Sequence, residues 1–407
     1  MSLNRYLFSA VTLVSAITVA GISAGQVALA ATPVCQVWAT SRTSNSPTLI
    51  NGVTSQVSSI GIGDKSWNVA MTPDGSKVYL TTDLTGIKVV DVASGYVLST
   101  ISEPSFILTT SPDGDKLYTA EWSSGVLKEF NTSTGVATGR SATTGFNPTA
   151  IAVSPDGAFI YVANYNSSPA TVTKIDTSTF VVTNHQVDTL GTLPAGLVVS
   201  PNGLKLYVVM YSGNQVKEID TATMTIQRTV AVAFGSRDVV TNSTGSKIYV
   251  TSAFGNHVVE IDATTFAITA TIPVGNSPQK LAISPDDRFL FVTNQASSSV
   301  SKIDLSTNSV VDTIAVNDGP YGIAIGPSNC TTAVPAPVVA PAAVAPETTV
   351  APTTTVAPTT TITPTTAVAS LPVELPRTGF TLNVWLVTAM FSVIAGALLA
   401  SHRRRLS

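Results

Sequence analysis

The sequence predicts an all-β fold, namely a seven-bladed β-propeller with a split closing blade. Three observations predict it: a unit of four short β-type runs, its repetition at intervals of about 42 residues, and an incomplete unit at each end of the repeat region. Residues 277–318 show the unit most clearly, because runs of β-branched and aromatic residues alternate there with turn-forming residues. One such meander cannot cover both of its own faces, so the copies are expected to pack against one another.

A turn after the first strand marks each repeat, most often as Ser-Pro-Asp-Gly. The second residues of the successive turns are Pro73, Pro112, Pro155, Pro201, Ser243, Pro285 and Pro327. They are spaced by 39, 43, 46, 42, 42 and 42 residues. A later strand in most units ends in an aspartate, as at Asp176, Asp220, Asp262 and Asp304. We interpret these carboxylates as caps of their own turns rather than as metal ligands.

The two ends of the repeat region complement each other. Residues 319–327 read as a first strand without partners, and residues 35–60 read as the three strands that such a blade lacks. The last blade is therefore predicted to combine both ends of the chain, which closes the ring and removes exposed sheet edges.

The two cysteines of the chain, Cys35 and Cys330, lie at the ends of this split blade. When the split blade is aligned on residues 277–318, Cys330 falls at the position of Arg288 and Cys35 at that of Phe289, which are adjacent in the whole blade. We infer a Cys35–Cys330 disulfide in place of the missing covalent connection, the alternative being two free buried thiols.

Composition excludes several functions. The chain has 407 residues, a net charge of −3 and only 11% charged residues, so it lacks the basic surface that nucleic-acid binding requires. Three scattered histidines do not have the spacing of a metal site. The sequence contains no Gly-x-Ser-x-Gly element and no Gly-rich phosphate loop, so no catalytic residue, metal or cofactor is predicted.

The N-terminus has the pattern of a secretory signal peptide, residues 1–30. Arg5 precedes an apolar run, and Ala28 and Ala30 place small residues before a cleavage point after residue 30. The alternative is an N-terminal membrane anchor. Export would place the mature propeller, residues 31–330, where disulfides persist.

Four segments follow the propeller. Residues 331–374 are rich in Pro, Thr and Ala and cannot form a core, so a disordered stalk is predicted. A pentapeptide at 375–379 precedes an apolar stretch at 381–400, which is long enough for a transmembrane helix, and a basic cytoplasmic tail at 401–407. The pentapeptide is Leu375, Pro376, Arg377, Thr378 and Gly379.

Strands such as FVTN, YVTS and YVAN, each followed by a strand of the VxxID type, resemble YVTN-type β-propeller repeats. The pentapeptide, apolar stretch and basic tail resemble the cell-wall sorting signal of sortase substrates in Gram-positive bacteria. This resemblance implies that sortase cleaves between Thr378 and Gly379 and joins Thr378 to peptidoglycan. The expected location is the cell wall, with the membrane contacted only through the helix before sorting. The alternative is a permanent membrane helix.

Ligands of propellers usually bind at the mouth of the central channel, near the start of each first strand. The residues six positions before each turn are Trp67, Phe106, Thr149, Ala195, Arg237, Gln279 and Tyr321. Tyr321, Trp67 and Phe106 belong to neighbouring blades and should form an aromatic shelf. Arg237, Gln279 and the adjacent Lys280 should face them. Such a shelf suits a glycan or a peptide, and the alternative is that the rings only plug the channel or pack between blades.

The function predicted from the sequence is that of a wall-anchored surface protein whose propeller acts in binding or adhesion, or as a structural module. It is not predicted to be an enzyme, since the positions at the mouth include no histidine or carboxylate. A secreted propeller enzyme, such as a lactonase-like hydrolase, is the alternative.

Overall fold

The computed structural model describes residues 35–166, 169–188, 192–328 and 330. The predicted signal peptide, stalk, sorting pentapeptide, transmembrane helix and tail lie outside the described residues. Within those ranges, no helix has the length and apolar character needed to cross a membrane.

The described residues form seven four-stranded sheets, which we number as blades 1 to 7. Blade 1 consists of β4 (Ser66–Met71), β5 (Lys77–Thr82), β6 (Ile87–Asp91) and β7 (Val97–Ile101). Blade 2 consists of β8 (Ile107–Thr110), β9 (Lys116–Ala120), β10 (Val126–Asn131) and β11 (Ala137–Thr143). Blade 3 consists of β12 (Pro148–Val153), β13 (Phe159–Asn164), β14 (Ala170–Asp176) and β15 (Val182–Asp188). Blade 4 consists of β16 (Pro194–Val199), β17 (Lys205–Met210), β18 (Gln215–Asp220) and β19 (Ile226–Ala231). Blade 5 consists of β20 (Ser236–Thr241), β21 (Lys247–Ser252), β22 (His257–Asp262) and β23 (Ala267–Pro273). Blade 6 consists of β24 (Pro278–Ile283), β25 (Phe289–Asn294), β26 (Ser299–Asp304) and β27 (Ser309–Ala315), with a 3-10 turn at Gln295–Ser297. Blade 7 consists of β28 (Pro320–Ile325), β1 (Gln36–Ser41), β2 (Thr48–Asn51) and β3 (Val57–Ser59).

The strand order confirms the seven-bladed propeller and its split closing blade. In blades 1 to 6 the strands pair antiparallel in chain order, whereas blade 7 has the order β28-β1-β2-β3. Val37 pairs with Ile325 and Ser41 with Pro320, so the two ends of the repeat region share one sheet. The four runs predicted within residues 277–318 correspond to the strands of blade 6.

The repeated turns form because their side chains satisfy the local backbone. In the first turn of blade 2, Gly114 donates its N–H to the carbonyl of Ser111 at 2.9 Å, and its φ of 81° favours glycine. The carboxylate of Asp176 accepts the N–H groups of Ser178 at 2.9 Å and Thr179 at 2.8 Å. Asp220, Asp262 and Asp304 accept equivalent bonds from their own turns. The interpretation of these aspartates as turn caps is therefore confirmed.

The core lies between the blades. Each of seven clusters of buried apolar residues combines residues of two neighbouring blades, and together these clusters occupy all seven junctions. At the junction of blades 7 and 1, for example, Trp38 packs with Val78, Leu80 and Val90, all of which are inaccessible to solvent. Each blade therefore depends on its two neighbours to bury its apolar faces.

The structure contains a disulfide between Cys35 and Cys330, whose Cα atoms are 4.8 Å apart. Both cysteines are buried, in a cluster that includes Ile50 and Phe289. The disulfide joins β1 to the segment after β28, where a whole blade has a covalent turn.

Long basic side chains add polar ties between blades. Arg228 of blade 4 donates to the carbonyls of Ala263 and Thr264 in blade 5, at 2.8 and 2.7 Å, and also contacts the carboxylate of Glu218. Lys174 of blade 3 donates to the carbonyl of Thr221 in blade 4 at 2.7 Å. Such bonds help to fix the blades relative to one another.

Candidate ligand-binding site

The three aromatic residues predicted at the channel mouth lie side by side. Each stands at or just before the start of an innermost strand, in blades 7, 1 and 2. The ring centroid of Trp67 is 5.9 Å from that of Tyr321 and 5.5 Å from that of Phe106. The register of the repeats was therefore sufficient to bring these residues together.

The aromatic surface extends beyond the predicted shelf. Trp122 follows Phe106 at 4.9 Å, Tyr165 follows Trp122 at 6.1 Å and Tyr211 follows Tyr165 at 6.0 Å between centroids. We call the continuous series from Tyr321 to Tyr211 the aromatic arc. Its members are Tyr321, Trp67, Phe106, Trp122, Tyr165 and Tyr211.

The three arc residues that the sequence did not predict share one position in the repeat. Trp122, Tyr165 and Tyr211 occupy the same repeat position, the seventh counted from Lys116 and its equivalents at the start of the second strand. In an antiparallel blade the second strand ends where the first begins, so this position also faces the mouth. The runs KLYTAEW, FIYVANY and KLYVVMY carried this signal.

Two exposed phenylalanines continue the arc onto the rim. The rings of Phe234 and Phe254 are stacked, with centroids 5.1 Å apart and planes 18° apart, and each lies within 6.4 Å of Tyr211. Their exposed fractions are 53% and 59%. Gly235 has a φ of 77°, and a Cβ atom there would overlap the ring of Phe254. The glycine thus lets Phe254 lie against the backbone, and we call the stacked pair the rim platform.

Two arginines face the arc. The guanidinium carbon of Arg42 lies 3.8 Å from the ring centroid of Trp67, and that of Arg237 lies 4.6 Å from the ring centroid of Tyr211. Burial lowers the pKa of Arg42, and the like charge of Arg237 acts in the same direction. Arg42 sits at the same repeat position as Trp122 and was missed for the same reason.

The donors of these arginines are little used within the described residues. The Nε atom of Arg237 is buried without a hydrogen-bond partner there, and its Nη2 lies 3.4 Å from the hydroxyl of Tyr211. Guanidinium groups stacked on aromatic rings keep their N–H groups free at the ring edge, in a geometry that matches carboxylates and phosphates.

Two carboxylates also line the cleft, and both are engaged locally. Asp83 accepts the indole N–H of Trp67. Glu121 accepts hydrogen bonds from Ser123 and Ser124 in the following turn. Burial opposes the ionisation of Glu121, but these bonds outweigh it and lower its pKa to about 2. Glu121 is therefore ionised at neutral pH.

The prediction that Gln279 and Lys280 face the aromatic shelf is wrong. Gln279 is only 2% exposed, and its amide donates to the carbonyl and hydroxyl of Ser277. Lys280 lines the central channel and forms an ion pair with Asp238 at 3.0 Å. Although burial disfavours its charge, Asp238 raises the pKa of Lys280. Local hydrogen bonds and this pairing, rather than repeat position, determine where both side chains point.

Arg42, Arg237, the two carboxylates and most of the arc surround one open cleft of about 520 Å³. Thr149 lines both this cleft and the narrower central channel, whose cavity is about 200 Å³. The larger volume lies in the range of small-molecule binding sites. The rings therefore line the mouth without filling it. Among the described residues, no three His, Cys, Asp or Glu side chains converge to hold a metal ion.

Comparisons with known proteins agree with the fold. The model of a family described as "Lactonase, 7-bladed beta-propeller" matches residues 71–197. No curated protein sequence matches the chain.

Several solved structures share the architecture at low identity. A protein of unknown function from Desulfotomaculum acetoxidans is 17% identical and has a TM-score of 0.63, covering 72% of this chain and 98% of its own. A protein of Bacteroides uniformis, provisionally named a 6-phosphogluconolactonase, is 17% identical and has a TM-score of 0.59, covering 72% and 99%. Hydrazine synthase of Kuenenia stuttgartiensis is 18% identical and has a TM-score of 0.59, covering 65% and 91%.

The fold and the cleft define a seven-bladed β-propeller with a ligand-sized mouth. Over residues 71–197, within blades 1 to 4, the chain is similar to the lactonase family of such propellers.

Proposed function

We propose that the chain is a cell-wall-anchored surface protein whose propeller binds a glycan at its mouth. The aromatic arc, set around an open cleft with two arginines, carries this proposal. Sugar rings present flat C–H faces to aromatic rings, and their hydroxyls need nearby polar partners. Phe106, Trp122 and Tyr165 offer the faces, while Arg42 and Arg237 offer hydrogen-bond donors.

The end of the described propeller leaves the cleft open. β28 runs away from the mouth, from Pro320 to Ile325, and Cys330 lies beyond its far end. Neither β28 nor Cys330 therefore occupies the cleft, which is accessible to a ligand among the described residues.

Anchoring is proposed from the signal peptide and the sorting pentapeptide. Its test is the mass of the protein released from walls by a muramidase. We expect a C-terminal Thr378 attached to a peptidoglycan fragment, and Thr378→Ala should shift the protein to the membrane fraction. Recovery of an intact C-terminus from the wall would refute the sorting proposal.

Glycan binding is tested with the secreted propeller on an array of wall and host glycans. The variant Trp122→Ala/Tyr165→Ala should lose most of the signal, since each stacking contact contributes about 1 kcal/mol. Tyr96→Ala is the matched control, because Tyr96 is an exposed aromatic residue on the β6–β7 turn, away from the mouth. Equal binding by the arc variant and the wild type would contradict the proposal.

A second candidate function is lactone hydrolysis, which the similarity of residues 71–197 to the lactonase family favours. Glu121 is ionised at neutral pH and could orient a water at the lactone carbonyl, although its pKa of about 2 makes it a weak general base. The test is pH-stat titration with 6-phosphogluconolactone and gluconolactone. Acid release above the spontaneous rate that is abolished by Glu121→Gln would favour an enzyme, whereas release at the spontaneous rate would exclude this activity for these lactones.

A further inference from the structure

The two rings of the rim platform are largely exposed and are not part of the core between the blades. Phe234 lies in the β19–β20 loop, which connects blades 4 and 5, and Phe254 lies in the β21–β22 loop of blade 5. Both loops are on the mouth face, and more than half of each side chain is exposed. A ligand that buries either ring would gain affinity, because apolar surface is removed from water. Their stacking and the close fit of Phe254 on Gly235 hold the platform in place before any ligand arrives.

The rim platform is continuous with the cleft. Tyr211 lies within 6.4 Å of both platform rings and 6.0 Å from Tyr165, which lines the cleft. A ligand confined to the cleft would leave the platform uncovered. A chain that starts in the cleft can cross Tyr211 and cover both phenylalanines.

The charge along this path favours acidic groups. The carboxylates of Asp83 and Glu121 already accept hydrogen bonds from their own neighbours. Arg42 and Arg237, by contrast, are stacked on Trp67 and Tyr211 with N–H groups to spare. The unused donors thus lie at two separate points of the arc, one near each of its ends.

We propose that the ligand is an acidic oligosaccharide chain that runs from the cleft over Tyr211 to the rim platform, with acidic groups bound at Arg42 and Arg237. This inference rests on the proposed glycan-binding function and specifies its ligand. The acidic groups are carboxylates or phosphates, since both match the guanidinium fork. A chain gains affinity with length until it reaches Phe234 and Phe254.

The experiment is calorimetric titration of the disulfide-intact propeller with size series of glycans. The probes are oligogalacturonic acid as dimer, tetramer and hexamer, the neutral galactose oligomers of the same lengths, and a short polyglycerol phosphate. The first and last probes distinguish a carboxylate from a phosphate ligand. A proline-rich peptide tests the other class of chain that binds aromatic grooves.

One double variant and two single variants assign the contacts. Phe234→Ser/Phe254→Ser should weaken hexamer binding about tenfold and leave dimer binding unchanged. Arg42→Gln and Arg237→Gln should each weaken acidic ligands roughly tenfold to a hundredfold, with little effect on neutral ones. Arg288→Gln is the matched control, because Arg288 also lies over an aromatic ring, that of Phe289, but on the β24–β25 turn opposite the mouth. Thermal melting shows whether each variant is folded.

The outcomes separate this inference from the proposed function. If acidic and neutral oligomers bind equally, or if dimer and hexamer bind equally, the acidic chain is refuted while glycan binding stands. Preference for the proline-rich peptide over every glycan would overturn the ligand class. If none of the glycans, here or on the array, binds the folded wild type, the proposed function fails together with this inference.

Discussion

Removing the disulfide tests how the ring is closed. Cys35 and Cys330 are 295 positions apart in the chain and join the two halves of blade 7. Replacement of both by alanine removes the covalent link without placing a polar hydroxyl in the buried cluster, where the two cysteines are 0% and 2% exposed. The six whole blades keep their own turns in this variant.

The expected loss of stability follows from the length of the closed loop. In the chain-entropy model, a loop of this length stabilises the folded state by roughly 5 to 6 kcal/mol relative to the open chain. A domain of this size unfolds with an entropy of about 0.6 kcal/mol per degree, so the full effect corresponds to a decrease in Tm of roughly 8 to 10 °C. Engineered disulfides commonly give less than the model, and we therefore expect a decrease of at least about 4 °C.

Differential scanning calorimetry with and without a reductant measures this effect. The wild type should lose stability when reduced, whereas Cys35→Ala/Cys330→Ala should show the same Tm in both buffers. Thiol labelling of the denatured, unreduced wild type should detect no free thiol. Two labelled thiols, or a Tm of the unreduced wild type within about 1 °C of that of Cys35→Ala/Cys330→Ala, would refute the covalent closure of the ring.

Three further predictions concern single residues. Gly52→Ala should destabilise the propeller by about 2 kcal/mol or more in urea, because a Cβ atom at Gly52 would overlap the disulfide sulfur. Gly61→Ala should be neutral, since its added methyl group meets no atom within 4 Å. Arg228→Ala should decrease the free energy of unfolding by about 2 to 3 kcal/mol in the same assay. The buried carboxylate of Glu218 loses one of its partners in this variant, and two hydrogen bonds between blades 4 and 5 are broken. A change below about 0.5 kcal/mol would contradict this role. The folded-state pKa of Glu121, about 2, lies below its ordinary value of 4.5. Ionised Glu121 therefore stabilises the folded state above pH 4.5, and this contribution is lost as the pH falls from 4.5 towards 2. Glu121→Gln should therefore flatten the acid dependence of stability, and parallel pH profiles for variant and wild type would show this account to be wrong.

Much of the site could be predicted from repeat register alone. Trp67, Phe106 and Tyr321 are equivalent positions in neighbouring blades, and equivalent positions of a ring lie side by side. Trp122 and Tyr165 were as predictable in principle, since they also share one repeat position. They were missed because they follow the second strand of their blades, whereas the predicted mouth included only positions near the start of the first strand.

Other features depend on side-chain contacts that a repeat pattern does not encode. Gln279 and Lys280 occupy mouth-side positions in the register. The amide of Gln279, however, donates to Ser277 in its own loop, and the ammonium group of Lys280 pairs with Asp238 inside the channel. The rim platform arises where two four-residue loops, β19–β20 and β21–β22, approach each other. Phe234 and Phe254 are twenty positions apart, and nothing in the local pattern of either loop indicates that the rings stack.

By itself, the sequence determined the four-stranded structure of the blade, the number of blades and the split closure. Strand periodicity and turn chemistry are local properties, and both recur in each of the seven repeats. The contact between Cys35 and Cys330 could also be inferred, since it follows from the same register. Only the tertiary structure decided what the mouth is made of. The arc, the orientation of its two arginines and the rim platform are formed by residues from different blades, and their arrangement depends on packing, stacking and hydrogen bonds across the ring.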